Sequence, residues 1–199
     1  WQHRTVHRIV APFHTRIYPR RRGATYVTDA DWDNLVILDG CRADLFDEVI
    51  GDRITDRRTV ISPGSRTPEW ARENFADGEY GDTVYVTSNG WISRTVGDRF
   101  HAVVDVWREV DGVARPGDVT AAAREALERY PDKRLIVHYL QPHRPFLGSN
   151  FDRNPWKALR AGEATREEDW NANVQNLQLV VGDALVGGVV GVVDAAGEE

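Results

Sequence analysis

A short apolar run, Leu35-Val36-Ile37-Leu38, ends in Asp39-Gly40 and leads through Cys41-Arg42 into the helix-like segment Ala43-Asp44-Leu45-Phe46. No other feature constrains the fold as strongly. Four apolar residues in succession, without polar alternation, suit a strand covered on both faces, as in a parallel sheet. An acid at the C-terminal end of such a strand sits at the crevice where open α/β sheets bind ligands, so Asp39 is the first candidate for chemistry.

The same grammar continues along the chain. Thr83 to Thr87, Ala102 to Val106 and Arg134 to Leu140 read as three further strands. Thr67-Pro68-Glu69-Trp70 opens a helix to about Phe75, with Thr67 as the expected N-cap and Pro68 at the first helical position. Pro116-Gly117-Asp118 precedes an amphipathic helix from Val119 to Tyr130, and a last helix is predicted over Glu167 to Leu185. Strands separated by helices at this spacing predict an α/β domain over residues 33–199, with a central, mostly parallel sheet and helices on both faces. Residues 1–32 read as a basic arm whose densest charge is Arg20-Arg21-Arg22. Arg153 to Ala164 reads as a polar connection, of the lid or insertion kind, and the Gly/Val-rich stretch from Gly182 to Val193 as a frayed helix or edge strand.

Composition narrows the function classes. A chain of 199 residues can bury roughly 70% of its unfolded surface, enough for a real core. The net charge of -6, from 31 acids against 25 basic residues, gives no drive toward nucleic acid. Cys41 is the only cysteine, which excludes an intrachain disulfide and fits a reducing, cytoplasmic setting. No run of about 18 apolar residues marks a membrane span, and no signal-peptide pattern is present. Lys133 and Lys157 are the only lysines beside abundant arginine and acid, a bias expected of a salt-adapted, halophilic source. The chain has no methionine, so a processed or partial sequence is expected.

Three groups should converge at the C-terminal edge of the sheet: Asp39, the loop Ser65-Arg66-Thr67, and His138 with His143. A carboxylate on a strand end suits a divalent cation, and a hydroxyl at a helix N-terminus suits nucleophilic attack beside one. The helix dipole and its free N–H groups favour an anion there. Together these point to metal-assisted hydrolysis of an anionic ester. Position leaves each residue a plainer role too: Thr67 as a helix cap, Asp39 as a cap on the following helix, His143 as a packed loop residue, His138 as a core histidine and Cys41 as a small buried side chain.

The order of these groups resembles the alkaline phosphatase-like superfamily, and within it the sulfatase-like hydrolases. The resemblance is carried by Leu35 to Asp44 with its Asp-x-x-Arg-Ala-Asp ending, by Ser62-Pro63-Gly64-Ser65-Arg66-Thr67-Pro68, and by His138-Tyr139-Leu140-Gln141-Pro142-His143-Arg144-Pro145-Phe146. It implies Asp39 as a ligand of a divalent metal (zinc, calcium, magnesium or manganese), Thr67 as the covalent nucleophile with Ser65 as the alternative, and Arg66 and His143 as groups facing the anionic head. Asn89, closing the second strand, is counted with them as substrate-binding. The implied substrate is a small-molecule or glycan-linked phosphate or sulfate ester. The Cys-x-Pro-x-Arg motif of formylglycine sulfatases is missing at this point, which shifts weight toward phosphoester chemistry. The resemblance covers about Asp33 to Leu185. Beyond it the family pattern has a Thr-x-Asp-His-Gly-Glu-like element and a later histidine, whereas here Asp194 follows an apolar run with no histidine after it. An incomplete metal site and impaired hydrolysis are therefore expected, the alternative being a non-catalytic domain that binds an anionic ligand or a protein partner.

Overall fold

In the computed structural model of the chain, which describes residues 23–54, 57–147 and 166–184, the four apolar runs pair into one sheet. Its strands are β1 (Asn34–Leu38), β2 (Tyr80–Thr87), β3 (Phe100–Asp105) and β4 (Arg134–Tyr139), in the order β1-β4-β2-β3 with every neighbouring pair parallel. Parallel neighbours cannot be joined by a hairpin, so each connection must travel back along the sheet, and helices do this. They are α1 (Ala43–Ile50) and α2 (Thr67–Phe75) after β1, α3 (Gly90–Val96) after β2, α4 (Pro116–Arg129) after β3, and α5 (Arg166–Ala184) after β4. The chain is thus an α/β fold, as its pattern predicts.

Side-chain alternation divides the core in two. Leu35, Ile37, Tyr85 and Ile136 pack on one face with Trp70, Ala71 and Phe75 of α2 and Ile92 and Val96 of α3. Leu38, Val84, Val86, Leu135 and Val137 pack on the other with residues of α1, α4 and α5. The segment after β1 therefore covers one face with α1 and crosses to the opposite face with α2, so that both faces of the sheet are covered.

Several boundaries differ from those predicted. β2 begins at Tyr80, whose ring stacks on Phe100 of β3 with centroids 5.3 Å apart, and its register with β3 shifts between Tyr80 and Val84. β3 stops at Asp105 because Val106 enters a short 3-10 turn, Val106–Arg108. α4 begins at Pro116 instead of Val119: proline takes the first turn, and Asp118 accepts the Arg115 backbone N–H at 2.8 Å. The sequence pattern contains no helix between the second and third strands, yet α3 is there, capped by Asn89. The basic run Arg20-Arg21-Arg22, the connection Arg153 to Ala164 and Asp194 lie outside the described residues. Among the described residues no helix is long and apolar enough to cross a membrane.

Ile136 is 0% exposed on the inner strand β4. Ile136→Ala is expected to lower unfolding free energy by about 2–5 kcal/mol in urea titration, while Leu127→Ala on the exposed side of α4 changes it by less than about 0.5 kcal/mol.

Candidate active site

Asp39 leaves β1 with its amide bonded to the Tyr139 carbonyl of β4 at 3.0 Å, so the strand ladder itself fixes the residue. Gly40 follows at φ +65°, a left-handed turn that glycine adopts without strain. Its missing Cβ also matters: a methyl group there would lie 3.2 Å from Cδ2 of His143. The His143 amide donates to the Asp39 carbonyl at 3.0 Å, which ties the turn after β4 to the turn after β1.

Thr67 does not cap its helix. Arg66 holds the N-cap position, and the Thr67 hydroxyl donates to the Asp39 carboxylate, with Oγ1 at 3.2 Å from Oδ1 and 3.1 Å from Oδ2. The loop reaches this place because Gly64 passes against the first turn of α2, where a Cβ would come within 2.3 Å of the Trp70 amide nitrogen. Asn89 closes the cluster. Its Oδ1 accepts the Trp91 amide at 2.9 Å as the cap of α3, which turns Nδ2 toward Asp39 Oδ2 and, at 3.3 Å, Thr67 Oγ1. A hydroxyl has one proton and two lone pairs. With its proton on Asp39 and one lone pair facing Asn89, Thr67 Oγ1 keeps one lone pair for a reacting atom or a cation.

The remaining candidates fall around this cluster in different ways. Ser65 donates its hydroxyl to Glu69 Oε2 at 2.7 Å and its amide to the same oxygen at 3.0 Å. Of the two hydroxyls proposed as nucleophile, Thr67 is the one bonded to Asp39. Arg66 is exposed immediately before Thr67, and its carbonyl accepts the Trp70 amide at 2.9 Å. His143 is exposed, and its Nδ1 lies 2.7 Å from the Arg144 carbonyl. A carbonyl only accepts, so Nδ1 carries a proton in this contact and Nε2 is the ring nitrogen left to meet a ligand. Arg42 and Asp44 pair with each other through two contacts, 2.6 and 3.0 Å, at the start of α1, and the Arg42 guanidinium holds the Asp44 carboxyl below its ordinary range. Cys41 is buried in the core beneath α1.

Two further residues belong to the site's support. Asn176 of α5, fully buried, directs Nδ2 at the carbonyls of Pro142, His143 and Pro145 at 3.3–3.4 Å and accepts the Leu147 amide, which fixes the turn carrying His143. That turn contains two cis peptides, Gln141-Pro142 and Arg144-Pro145. His138, buried in β4, places Nδ1 2.9 Å from the Tyr85 hydroxyl and Nε2 3.8 Å from Asp39 Oδ2. No single stretch of sequence signals either role, since each partner lies 29 or more residues away.

Among the described residues no group of three or more His, Cys, Asp or Glu side chains is placed to hold a metal ion. Comparison with protein-family models, characterised proteins and solved structures finds no match for the chain.

Burial is the chief reason that the His138 imidazole titrates below its ordinary value; the Asp39 charge opposes this, and His143 adds to it. The unfolded chain therefore binds this proton at higher pH than the folded one. Stability is expected to fall as pH drops below about 6.5 and to level off below the folded-state pKa of His138. Urea midpoints between pH 7.5 and pH 5.5 check this, and His138→Gln should flatten the decline.

Proposed function

We propose that the crevice hydrolyses a phosphate or sulfate ester with Thr67 as its nucleophile. The observation that carries this reading is the Thr67 hydroxyl, which opens a helix yet donates its proton to the carboxylate of Asp39, 28 residues away, and accepts no N–H of its own helix as a cap would. An oxygen so oriented, at a helix N-terminus, can attack an anionic ester while the first turn favours the developing negative charge. Asp39 holds the proton of Oγ1, Asn89 holds the oxygen itself, Arg66 supplies donors to the non-bridging oxygens, and His143 flanks the anionic head. Attack passes the Oγ1 proton to Asp39, forms the bond from Oγ1 to phosphorus or sulfur, and breaks the bond to the leaving oxygen, which departs with the electron pair and takes a proton from water. A water molecule then attacks the bound group, the bond to Oγ1 breaks, and Oγ1 regains a proton from Asp39.

The carboxylate of Asp39 and the remaining lone pair of Thr67 are hard oxygen donors that fit part of the shell of zinc, calcium, magnesium or manganese. Such a cation, when bound, polarises the ester and eases loss of the hydroxyl proton. Closing its shell requires donors beyond these two.

Thr67→Ala is expected to reduce turnover of p-nitrophenyl phosphate or sulfate by at least about 10³-fold with the melting temperature preserved, whereas Thr67→Ser retains measurable activity. The assay uses the complete reading frame with each divalent metal in turn. Undiminished turnover in Thr67→Ala rules out the nucleophile assignment.

A second reading has one observation of its own: the Asp39 carboxylate is already satisfied by Thr67 and Asn89, as in a binding crevice that performs no chemistry. On that reading sulfate or vanadate binds by calorimetry, no ester is turned over, and Thr67→Ala weakens binding only modestly. For either reading, divalent titration of the chain is expected to show weak binding that Asp39→Asn removes; tight stoichiometric zinc binding contradicts the partial donor set.

A further inference from the structure

His138 is a polar residue in an aromatic setting. It is 1% exposed, it lies edge-on to Trp70 with ring centroids 5.9 Å apart, and its Nε2 has no hydrogen-bond partner. That nitrogen faces Asp39 Oδ2 across 3.8 Å. On the other side of the ring, Nδ1 is 2.9 Å from the hydroxyl of Tyr85, itself 0% exposed. Because the imidazole contacts the phenol through one nitrogen and faces the carboxylate with the other, the position of a single proton decides what the group can do.

The tautomer follows from counting donors. If Nδ1 carried the proton, it would donate to Tyr85, the phenol proton would be left buried without an acceptor, and the bare lone pair of Nε2 would face a carboxylate. If Tyr85 donates to Nδ1, the phenol is satisfied and Nε2–H faces the Asp39 oxygen, an attractive electrostatic contact at 3.8 Å in place of a repulsive one. Burial, reinforced by the Asp39 charge, raises the Tyr85 hydroxyl well above its ordinary value, so it is a proton donor at any working pH.

We propose that Tyr85 and His138 are positioning residues for Asp39: the phenol fixes His138 as the Nε2–H tautomer, and this N–H braces the carboxylate oxygen that Asn89 also holds. The brace sets the plane of the carboxylate from beneath, and so the direction in which Thr67 presents its oxygen. This rests on the reading of Asp39 and Thr67 as the reactive pair, and it adds two residues that touch neither ester nor cation. Outer partners of this kind commonly change activity by about 10- to 100-fold.

The test reads the tautomer directly. Nitrogen-15 spectra of the imidazole in the whole chain, with chelator present, should show an unprotonated Nδ1 and a protonated Nε2 whose proton exchanges slowly. Tyr85→Phe, which removes one oxygen, should abolish the single-tautomer pattern while leaving the amide fingerprint intact. Asp39→Asn should move the Nε2–H proton upfield. An Nδ1–H tautomer in the unmodified chain, a pattern unchanged in Tyr85→Phe, or an Nε2–H proton indifferent to Asp39→Asn overturns the proposal. Where the unmodified chain hydrolyses an ester, Tyr85→Phe should lower kcat about 10- to 100-fold with KM nearly constant, and an undiminished kcat overturns the positioning role. Absence of turnover in the unmodified chain would instead sink the hydrolase reading, while the spectra still decide the proposal on their own.

Discussion

The carboxylate of Asp39 ties together stretches of chain that sequence holds far apart. Thr67 donates to it from 28 residues on and Asn89 from 50, while the His143 amide meets the carbonyl of the same residue. These bonds exist only because the sheet is parallel, which brings the ends of β1, β2 and β4 to one edge. They also depend on strand order. β4 separates β1 from β2, so Asp39 and Asn89 set out about two strand spacings apart, roughly 9–10 Å. Their side chains meet above the end of the middle strand. His138, whose register partners are Ile37 of β1 and Thr87 of β2, lies directly below that meeting point.

The sheet was legible because its signal is local. Runs such as Leu35 to Leu38 and Val84 to Val86 are apolar without alternation, and only a strand buried on both faces tolerates that pattern. Asp39 was legible for the same reason, being the polar residue that ends the first run. α3 was not: its seven residues include Ser93, Arg94 and Thr95, and the only sign of its start is Asn89, a residue equally common in turns. The helix bounds at Thr67 were legible, but the target of its hydroxyl was not. A threonine ahead of Pro68 caps a helix by accepting its N–H groups in most settings, and here the hydroxyl instead donates to a carboxylate at the end of another strand. The choice between Ser65 and Thr67 was open for the same reason, since the partners that separate them, Glu69 and Asp39, differ in distance along the chain rather than in chemistry.

The motif resemblance divides once its residues are located. Asp39, Thr67, Asn89 and His143 are joined by hydrogen bonds at one end of the sheet, whereas Arg42 and Asp44, which make the first motif look specific, form an exposed bidentate pair at the start of α1. Their pairing, with Asp44 also accepting the Leu45 amide, orients the first turn of the helix after β1. A motif can thus join residues of unlike placement, one part in the side-chain cluster at the strand ends and the other setting the angle at which the chain leaves the strand. Asn176 shows the converse. It supports the His143 turn from α5, and nothing in its own neighbourhood of sequence marks it.

His138 and Tyr85 sharpen what it means for a core to contain polar groups. A valine at position 138 would suit a central strand and would remove an unpartnered nitrogen, yet it would leave the buried Tyr85 hydroxyl without an acceptor. A phenylalanine at position 85 would remove that hydroxyl but free the His138 ring to take either tautomer. Removing one member leaves the next unsatisfied, and buried polar groups are costly mainly when half of a network is lost. The Tyr85, His138 and Asp39 side chains therefore form one unit, running from the aromatic core to the crevice. Strand β4 passes between the strands whose ends carry Asp39 and Asn89, so His138 on it reaches Asp39 from below.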